Sequence, residues 1–121
     1  MTLVRLTILL FVLKLKLLWA MRRNPAFRTR VKKRDYTLVI RTADRRHGRY
    51  FTFTGGQILS KRGPHPDPTV EMVWSDVGTA FRALASGEKK AVVQALGASK
   101  LRIEGNLDYF FWFGDTMDVL G

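Results

Sequence analysis

The chain has 121 residues, which is enough for one domain with its own core and too few for two. Hydrophobic residues make up 46% of the sequence and charged residues 26%, so the composition is that of a globular protein and not of a disordered one. Cysteine is absent, which excludes a disulfide framework, thiolate metal sites and a cysteine nucleophile.

The net charge of +11 is concentrated at one end of the chain. Residues 1–34 contain 10 of the 21 basic residues and none of the 10 acidic ones, which leaves residues 35–121 nearly neutral. A basic, apolar segment on a neutral body favours contact with anionic lipid. Nucleic acid is not an expected partner, because Phe27 is the only aromatic residue among the basic residues of segment 22–34.

The first predicted element is an apolar helix from Leu3 to Met21. Lys14 and Lys16 lie about 200° apart on such a helix, so no single polar face collects its cations. The twelve Leu, Ile, Val and Phe residues of this segment favour membrane insertion, and its three cations oppose it. The two contributions nearly cancel, at about 4–7 kcal/mol in favour and up to about 3 kcal/mol per cation against.

Three interpretations of this helix remain open. A cleaved secretory signal is the least favoured, because Trp19-Ala20-Met21-Arg22 does not provide the two small residues of an A-x-A-like cleavage site. A membrane-spanning anchor would hold the rest of the chain in the cytoplasm by the positive-inside rule. The favoured interpretation is a helix that packs on the domain and lies in the membrane interface, although simple packing on the core is included in it. The expected membrane-contact residues are Trp19, Arg22, Arg23, Arg28, Arg30, Lys32, Lys33 and Arg34.

We therefore assign residues 1–24 to this N-terminal helix and residues 25–121 to a folded domain. The expected location is cytoplasmic, in association with the inner (plasma) membrane, because the basic segment that follows the helix favours an anionic membrane face.

A meander of three antiparallel strands is predicted next, from runs of β-branched and aromatic residues. Gly55-Gly56 is a two-residue hairpin signal between the second and third strands. Three prolines from Pro64 to Pro68 predict a stiff loop, because proline cannot donate to a strand ladder. A fourth strand follows, in which Val70, Met72 and Trp74 share one face. The four predicted strands are Tyr36–Thr42, Arg49–Thr54, Gln57–Arg62 and Thr69–Trp74.

Two helices and a fifth strand come after the fourth strand. Ser75 is expected to cap the first of these helices, and Gly87 to end it. Glu88 is expected to begin a second, shorter helix that ends at Gly97 in a left-handed conformation. The alternating segment Lys100–Glu104 predicts the fifth strand.

The final predicted helix is capped by Asn106 and contains five consecutive aromatic residues, Tyr109 to Phe113. Successive helical residues are about 100° apart, so five rings cover the whole circumference. Some aromatic surface must therefore face a second apolar body, such as a lipid, a membrane, another subunit or the first helix. Ordinary packing in the core or between helices is the alternative.

Residues 67–107 carry a resemblance to a known family. Asp67-Pro68-Thr69-Val70 enters the fourth strand, and Ser75-Asp76-Val77 begins a helix. The most specific segment is Lys100 to Leu107 (KLRIEGNL), with Ser99 at a position where glycine is usual. In this order the segments resemble the sterol carrier protein type 2 (SCP2) domain family, whose corresponding motif is Gly–x–Leu–x–Ile–x–Gly.

The resemblance implies an α+β domain in which helices cover one face of a five-stranded, mainly antiparallel sheet and leave an apolar tunnel. It implies a non-enzymatic carrier that binds a fatty acyl, sterol-like or isoprenoid lipid, with no cofactor, no metal and no catalytic residue. Bacterial members include accessory proteins of ubiquinone biosynthesis, so docking to a membrane-associated lipid or ubiquinone biosynthesis complex is the alternative function.

The chain departs from the family in its first helix, which is apolar on all sides where the family's is amphipathic. This departure favours a membrane-associated carrier over a freely diffusing one. The inward faces of the predicted elements indicate which residues line the tunnel. The expected ligand-binding residues are Trp74, Phe81, Leu84, Leu96, Phe110, Phe111, Phe113 and Met117.

The two histidines do not indicate a catalytic or metal site. His47 and His65 each lie in a turn, without a second ligand at metal-binding spacing and without a nucleophile motif. We expect both side chains to be solvated.

Overall fold

The secondary structure follows the order predicted from the sequence, with one additional helix. The structure is a computed structural model, and it describes residues 2–44, 48–86 and 89–119. Compared with the predicted bounds, β2 begins one residue earlier, β4 begins one residue later and β5 is shifted by one residue, which is within the usual ambiguity of element ends. The elements are α1 (Thr2–Arg23), α2 (Pro25–Lys32), β1 (Tyr36–Thr42), β2 (Gly48–Thr54), β3 (Gln57–Arg62), β4 (Val70–Trp74), α3 (Val77–Ser86), α4 (Lys89–Gly97), β5 (Leu101–Gly105) and α5 (Leu107–Val119).

An Asn-Pro pair divides the N-terminal helical segment in two. Asn24 is extended (φ −116°, ψ 100°), and its side chain accepts a hydrogen bond from the Phe27 N–H at 3.1 Å. Pro25 lies in the first turn of α2, where its missing N–H has no cost. Phe27 and Val31 then bury one face of α2. The predicted elements do not include α2, although Asn-Pro is a helix-start signal.

The five strands form one mixed sheet in the order β3-β2-β1-β4-β5. The pairs β1–β2, β2–β3 and β4–β5 are antiparallel, and β1–β4 is parallel. Gly55 and Gly56 have φ values of 57° and 78° and form the tight turn of the second hairpin. The predicted α+β class with a mainly antiparallel, five-stranded sheet is confirmed.

One face of the sheet carries the core. Leu38 is opposite Phe51 on one side and Val70 on the other, and all three side chains are fully buried. Helices α1, α3 and α5 contact this face. On the opposite face, Arg41 pairs with Glu71 at 3.1 Å and with Glu104 at 3.6 Å. The helices therefore cover the face that carries the core cluster, while the opposite face holds the Arg41 ion pairs and the buried side chains of Val39 and Val73.

The predicted cap of α3 is wrong by one residue. Asp76, and not Ser75, accepts the hydrogen bond from the Thr79 N–H, at 2.7 Å. Ser75 instead donates its hydroxyl to the Asp76 carboxylate. The bond from Thr79 is the main reason why the pKa of Asp76 is lowered. Gly87 and Glu88, which were expected to separate α3 from α4, lie outside the described residues, as does His47.

The predicted left-handed cap at Gly97 is also wrong. Helix α4 continues through Gly97, and Ser99 is the residue with positive φ, at 61°. The Ser99 N–H donates to the Leu96 carbonyl at 3.2 Å, and the Lys100 N–H donates to the Ala95 carbonyl at 2.9 Å. These two bonds form a Schellman motif, which requires its left-handed residue two positions after Gly97. Ser99 is the position at which the resembling family has glycine.

Candidate functional site

Helix α1 has two apolar faces on opposite sides. Leu6, Leu10 and Leu17 are at most 3% exposed and belong to the core. On the other side, six large apolar residues are between 36% and 60% exposed. A helix that only packed on the domain would not need this second face. We refer to these exposed residues as the α1 stripe: Ile8, Phe11, Val12, Leu15, Leu18 and Trp19.

The α1 stripe is continuous and bordered by cations. At 100° per residue its six members fall within an arc of about 120°. Lys14 and Lys16 lie about 40° outside the two edges of this arc, one on each side. The two lysines are far apart around the helix because each one lies at a different boundary between the buried face and the exposed face. The Arg23 guanidinium covers the Trp19 ring at the end of the helix, at 4.4 Å.

The eight predicted membrane-contact residues divide into two groups. Arg28, Arg30 and Arg34 are half-buried, and the others are exposed, with Trp19 at 60%. Arg28 donates from Nη1 to the carbonyls of Met21 and Arg22, each at 3.1 Å. Arg28 therefore caps the C-terminal end of α1 through these two carbonyls. The exposed group is Trp19, Arg22, Arg23, Lys32 and Lys33.

Arg30 of α2 and Arg34, which follows α2 by two residues, cover aromatic rings of α5. The guanidinium carbons of Arg30 and Arg34 lie 3.5 and 4.1 Å from the centre of the Trp112 ring. Arg34 also pairs with Asp108 at 2.8 Å. Arg30 donates from Nε to the Thr116 hydroxyl at 3.1 Å. These two arginines hold α2 against α5 by cation–π contacts and hydrogen bonds.

The five consecutive rings of α5 have three different environments. Phe110 and Phe113 are buried in the core, with 6% and 7% exposure. Tyr109 and Trp112 are half-buried beneath Arg34 and Arg30. Phe111 remains 46% exposed. Much of the surplus aromatic surface is therefore covered by the same chain, and one ring is left for a second body.

Six of the eight predicted ligand-lining residues come together in the core. Trp74, Phe110 and Phe113 are buried members of the core cluster. Leu84, Leu96 and Met117 are partly buried and pack against it. The remaining two lie outside that cluster: Phe81 is half-buried and Phe111 is exposed.

Among the described residues, one buried side-chain polar atom has no hydrogen-bond partner. The Trp74 side chain is completely buried, and its Nε1 has no hydrogen-bond partner. An unpaired buried N–H costs about 1–3 kcal/mol, and buried tryptophans normally donate to an acceptor. This N–H is suited to an oxygen of a bound molecule.

A cleft of about 500 Å³ lies between the first half of α1 and the strands β1 to β3. None of the predicted ligand-lining residues contributes to it. The sequence did contain a signal for two of the residues that line this cleft, because a two-residue turn at Gly55-Gly56 places Arg49 opposite Arg62. The residues that line the cleft are Leu6, Thr7, Leu10, Val39, Arg41, Gly48, Arg49, Arg62, Gly63 and Pro64.

The described residues give little support to other kinds of site. His65 is half-buried, with its ring 4.8 Å from that of Tyr50, and its Nδ1 accepts the Asp67 N–H at 3.0 Å. It is therefore less solvated than predicted. In the described ranges, no group of three or more His, Cys, Asp or Glu side chains is placed to hold a metal ion. None of the helices within those ranges has the length and apolarity needed to cross a membrane.

Comparisons with known proteins identify the fold. No protein-family model matches the sequence, and no curated protein matches it. Among solved structures, the UbiJ-SCP2 ubiquinone synthesis protein superposes with a TM-score of 0.61 at 13% identity, over 82% of this chain and 84% of that protein. A double mutant of the sec-alkyl sulfatase Pisa1 has a TM-score of 0.58 at 15% identity. The stereoselective inverting sec-alkylsulfatase Pisa1 from Pseudomonas sp. has a TM-score of 0.53 at 14% identity.

Both sulfatase superpositions cover 76% of this chain but only 14% of the enzyme, so the likeness concerns one small part of that protein. The UbiJ-SCP2 superposition, by contrast, covers most of both chains. The chain therefore has the sterol carrier protein type 2 fold that the motifs in residues 67–107 imply.

Proposed function

We propose that this chain is a non-enzymatic lipid-binding domain that works at an anionic membrane surface. The observation that carries the proposal is the α1 stripe, a continuous exposed apolar face bordered by lysines. Contiguous exposed apolar surface of this kind is typical of membrane or protein interaction sites. The bordering cations favour a membrane, because lysine and arginine side chains reach the headgroups while the apolar face enters the interface.

Apolar and electrostatic contributions to binding should be of similar size. Burying a Leu, Ile or Phe side chain completely is worth about 1.5–3 kcal/mol, so a half-exposed one contributes about 1 kcal/mol. Each cation near an anionic leaflet adds about 1 kcal/mol. Lys14, Lys16, Arg22 and Arg23 border or follow the stripe. Binding should therefore require both the stripe and anionic lipid, and should weaken as salt increases.

The proposed ligand lies between the sheet and the helices. We infer that a fatty acyl, sterol-like or isoprenoid molecule contacts the core cluster around Trp74, Phe110 and Phe113, and that Trp74 Nε1 donates to an oxygen of this ligand. The support is the unpaired N–H of a side chain that belongs to the hydrophobic core cluster. The proposed location is the cytoplasmic face of the inner membrane, where basic segments near an apolar helix are favoured.

Vesicle flotation tests the membrane part of the proposal. The wild-type chain is expected to float with vesicles of phosphatidylcholine and phosphatidylglycerol, and not with phosphatidylcholine alone. Replacing Val12 and Leu15 together by glutamine should weaken binding at least about tenfold, because roughly 2 kcal/mol of apolar burial is lost. Leu59→Gln is the matched control, since Leu59 is 56% exposed on β3 and outside the stripe. Equal flotation of the double variant and the wild type would refute the proposal.

A second candidate function is that of an accessory protein in a membrane-associated lipid or ubiquinone biosynthesis complex. Leu107 and Phe111 are 50% and 46% exposed and lie four residues apart on α5. The two side chains therefore form a small apolar patch on a different helix from the stripe. One structural neighbour is named a ubiquinone synthesis protein. A photo-crosslinking residue at position 111, used in intact membranes, separates the two functions: a defined protein adduct supports the complex, and lipid adducts alone support the carrier.

A further inference from the structure

Two arginines face each other across the β2–β3 hairpin. Arg49 is directly opposite Arg62, in the same register that places Phe51 opposite Ser60. Both arginines therefore point to the face of the sheet that α1 covers. Arg49 is only 6% exposed and donates from Nη1 to the Ser60 hydroxyl at 3.0 Å. No carboxylate pairs with either guanidinium within the described part of the chain.

This arrangement is unfavourable unless an anion completes it. Like charges directly opposite each other destabilise a strand pair, and a buried cation normally has an anionic partner. Burial and the charge of Arg62 both lower the pKa of Arg49, with burial the larger cause. A single hydroxyl group cannot neutralise a guanidinium that has five N–H donors.

The surroundings of the pair are apolar on one side. Both arginines line the cleft of about 500 Å³, a volume within the range of small-molecule sites. Leu6 and Leu10 of α1 form its apolar wall. The Phe11 ring lies 5.6 Å from the Arg49 guanidinium. Among the described residues that line the cleft, none is acidic.

We propose that this cleft binds an oxyanion, carboxylate or phosphate, at Arg49 and Arg62, and that this anion is the headgroup of an amphiphile whose apolar part contacts Leu6 and Leu10. Guanidinium groups bind both kinds of oxyanion through paired, charge-assisted hydrogen bonds. The anion-binding part of the inference is independent of the proposed function. The apolar part rests on it, because it requires the chain to bind a lipid.

Calorimetric titration of the full chain tests the site with two probes, inorganic phosphate and dodecyl phosphate below its micelle concentration. The variant is Arg62→Gln, since Arg62 is exposed and its replacement should not disturb the core. The matched control is Lys61→Gln, which removes one positive charge from the same strand on the opposite face. Arg62→Gln is expected to weaken the binding of dodecyl phosphate at least tenfold, and Lys61→Gln to leave it unchanged.

The comparison of dodecyl phosphate with inorganic phosphate distinguishes a lipid headgroup from a free anion. Dodecyl phosphate binding at least tenfold tighter than inorganic phosphate supports a lipid headgroup. Equal affinities that both depend on Arg62 retain the oxyanion site and refute the apolar part, and with it the lipid ligand at this cleft. The same affinity for wild type and Arg62→Gln, or no binding of either probe to the wild type, overturns the inference. A higher Tm for Arg62→Gln without ligand is also expected, because the repulsion between the arginines is removed.

The flotation variant keeps this test separate from the membrane proposal. Val12 and Leu15 do not line the cleft, so the variant with both residues changed to glutamine should bind dodecyl phosphate like the wild type. If that variant loses dodecyl phosphate as well, the amphiphile binds to the stripe and the cleft assignment is wrong.

Discussion

Replacing Trp74 by phenylalanine tests whether the indole N–H is unpaired in the ligand-free protein. The change removes a donor that has no partner in the core, along with part of a completely buried side chain. Removing an unsatisfied N–H should return about 1–3 kcal/mol. Losing part of the ring should cost about 1–2 kcal/mol, a fraction of the 3–5 kcal/mol for truncation of an aromatic residue to alanine. The two terms nearly cancel, so the free energy of unfolding should change by less than about 1 kcal/mol.

The control is Phe51→Leu, because Phe51 is also completely buried and carries no polar atom. It should destabilise the protein by about 1–2 kcal/mol, since nothing offsets the lost packing. Urea unfolding of both variants and the wild type, monitored by circular dichroism, gives the comparison. If Trp74→Phe costs as much as the control or more, the indole N–H is paired in the ligand-free protein and the ligand-donor role is refuted.

Three further predictions concern residues whose backbone or capping role is defined. Gly105→Ala should destabilise the protein by more than about 2 kcal/mol in urea unfolding, because φ is 91° and a Cβ would lie 2.5 Å from the Thr69 carbonyl oxygen. Ser99→Gly should instead stabilise it by about 0.5–1 kcal/mol, since glycine adopts the left-handed conformation without strain; a lower Tm would contradict this. Asp76→Ala should cost about 1 kcal/mol at pH 7 through loss of the cap. That difference should fade in acid titrations, because a carboxylate with a lowered pKa stabilises the fold above its unfolded pKa of about 4 and stops doing so as pH falls through the lowered value.

The strands were predictable because their signals are local. Alternating residues and the Gly55-Gly56 turn define β2 and β3, and the turn also determines their register. The parallel pairing of Leu38 with Val70 is not local, because 31 residues lie between them in the chain. No sequence signal near Leu38 or near Val70 indicates that these two residues pair. The family resemblance supplied the fold class that these local signals did not.

The side of the N-terminal helix that packs on the domain could not be predicted from the sequence. Its residues are apolar on two sides, and hydropathy does not indicate which side packs on the domain. Packing against β2, β3 and α3 decides this, and it leaves Leu17 buried and Leu18 exposed at neighbouring positions. The basic residues after the helix were equally ambiguous. Arg30 covers the Trp112 ring because it lies on α2, and the start of α2 is signalled in the sequence by Asn24 and Pro25.

The α1 stripe and the arginine cleft adjoin at Phe11. This residue is 44% exposed in the stripe, and its ring is 5.6 Å from the Arg49 guanidinium. An amphiphile with its headgroup at Arg49 and Arg62 would therefore lie next to the proposed membrane-contact face, with no need to pass through the aromatic core around Trp74. The two proposed lipid positions are thus distinct in chemistry: one offers two cations beside an apolar helix, and the other offers a single neutral donor in an apolar interior. A charged lipid should select the cleft, and a neutral one the interior, because an anion in the core would have no cation to compensate its desolvation.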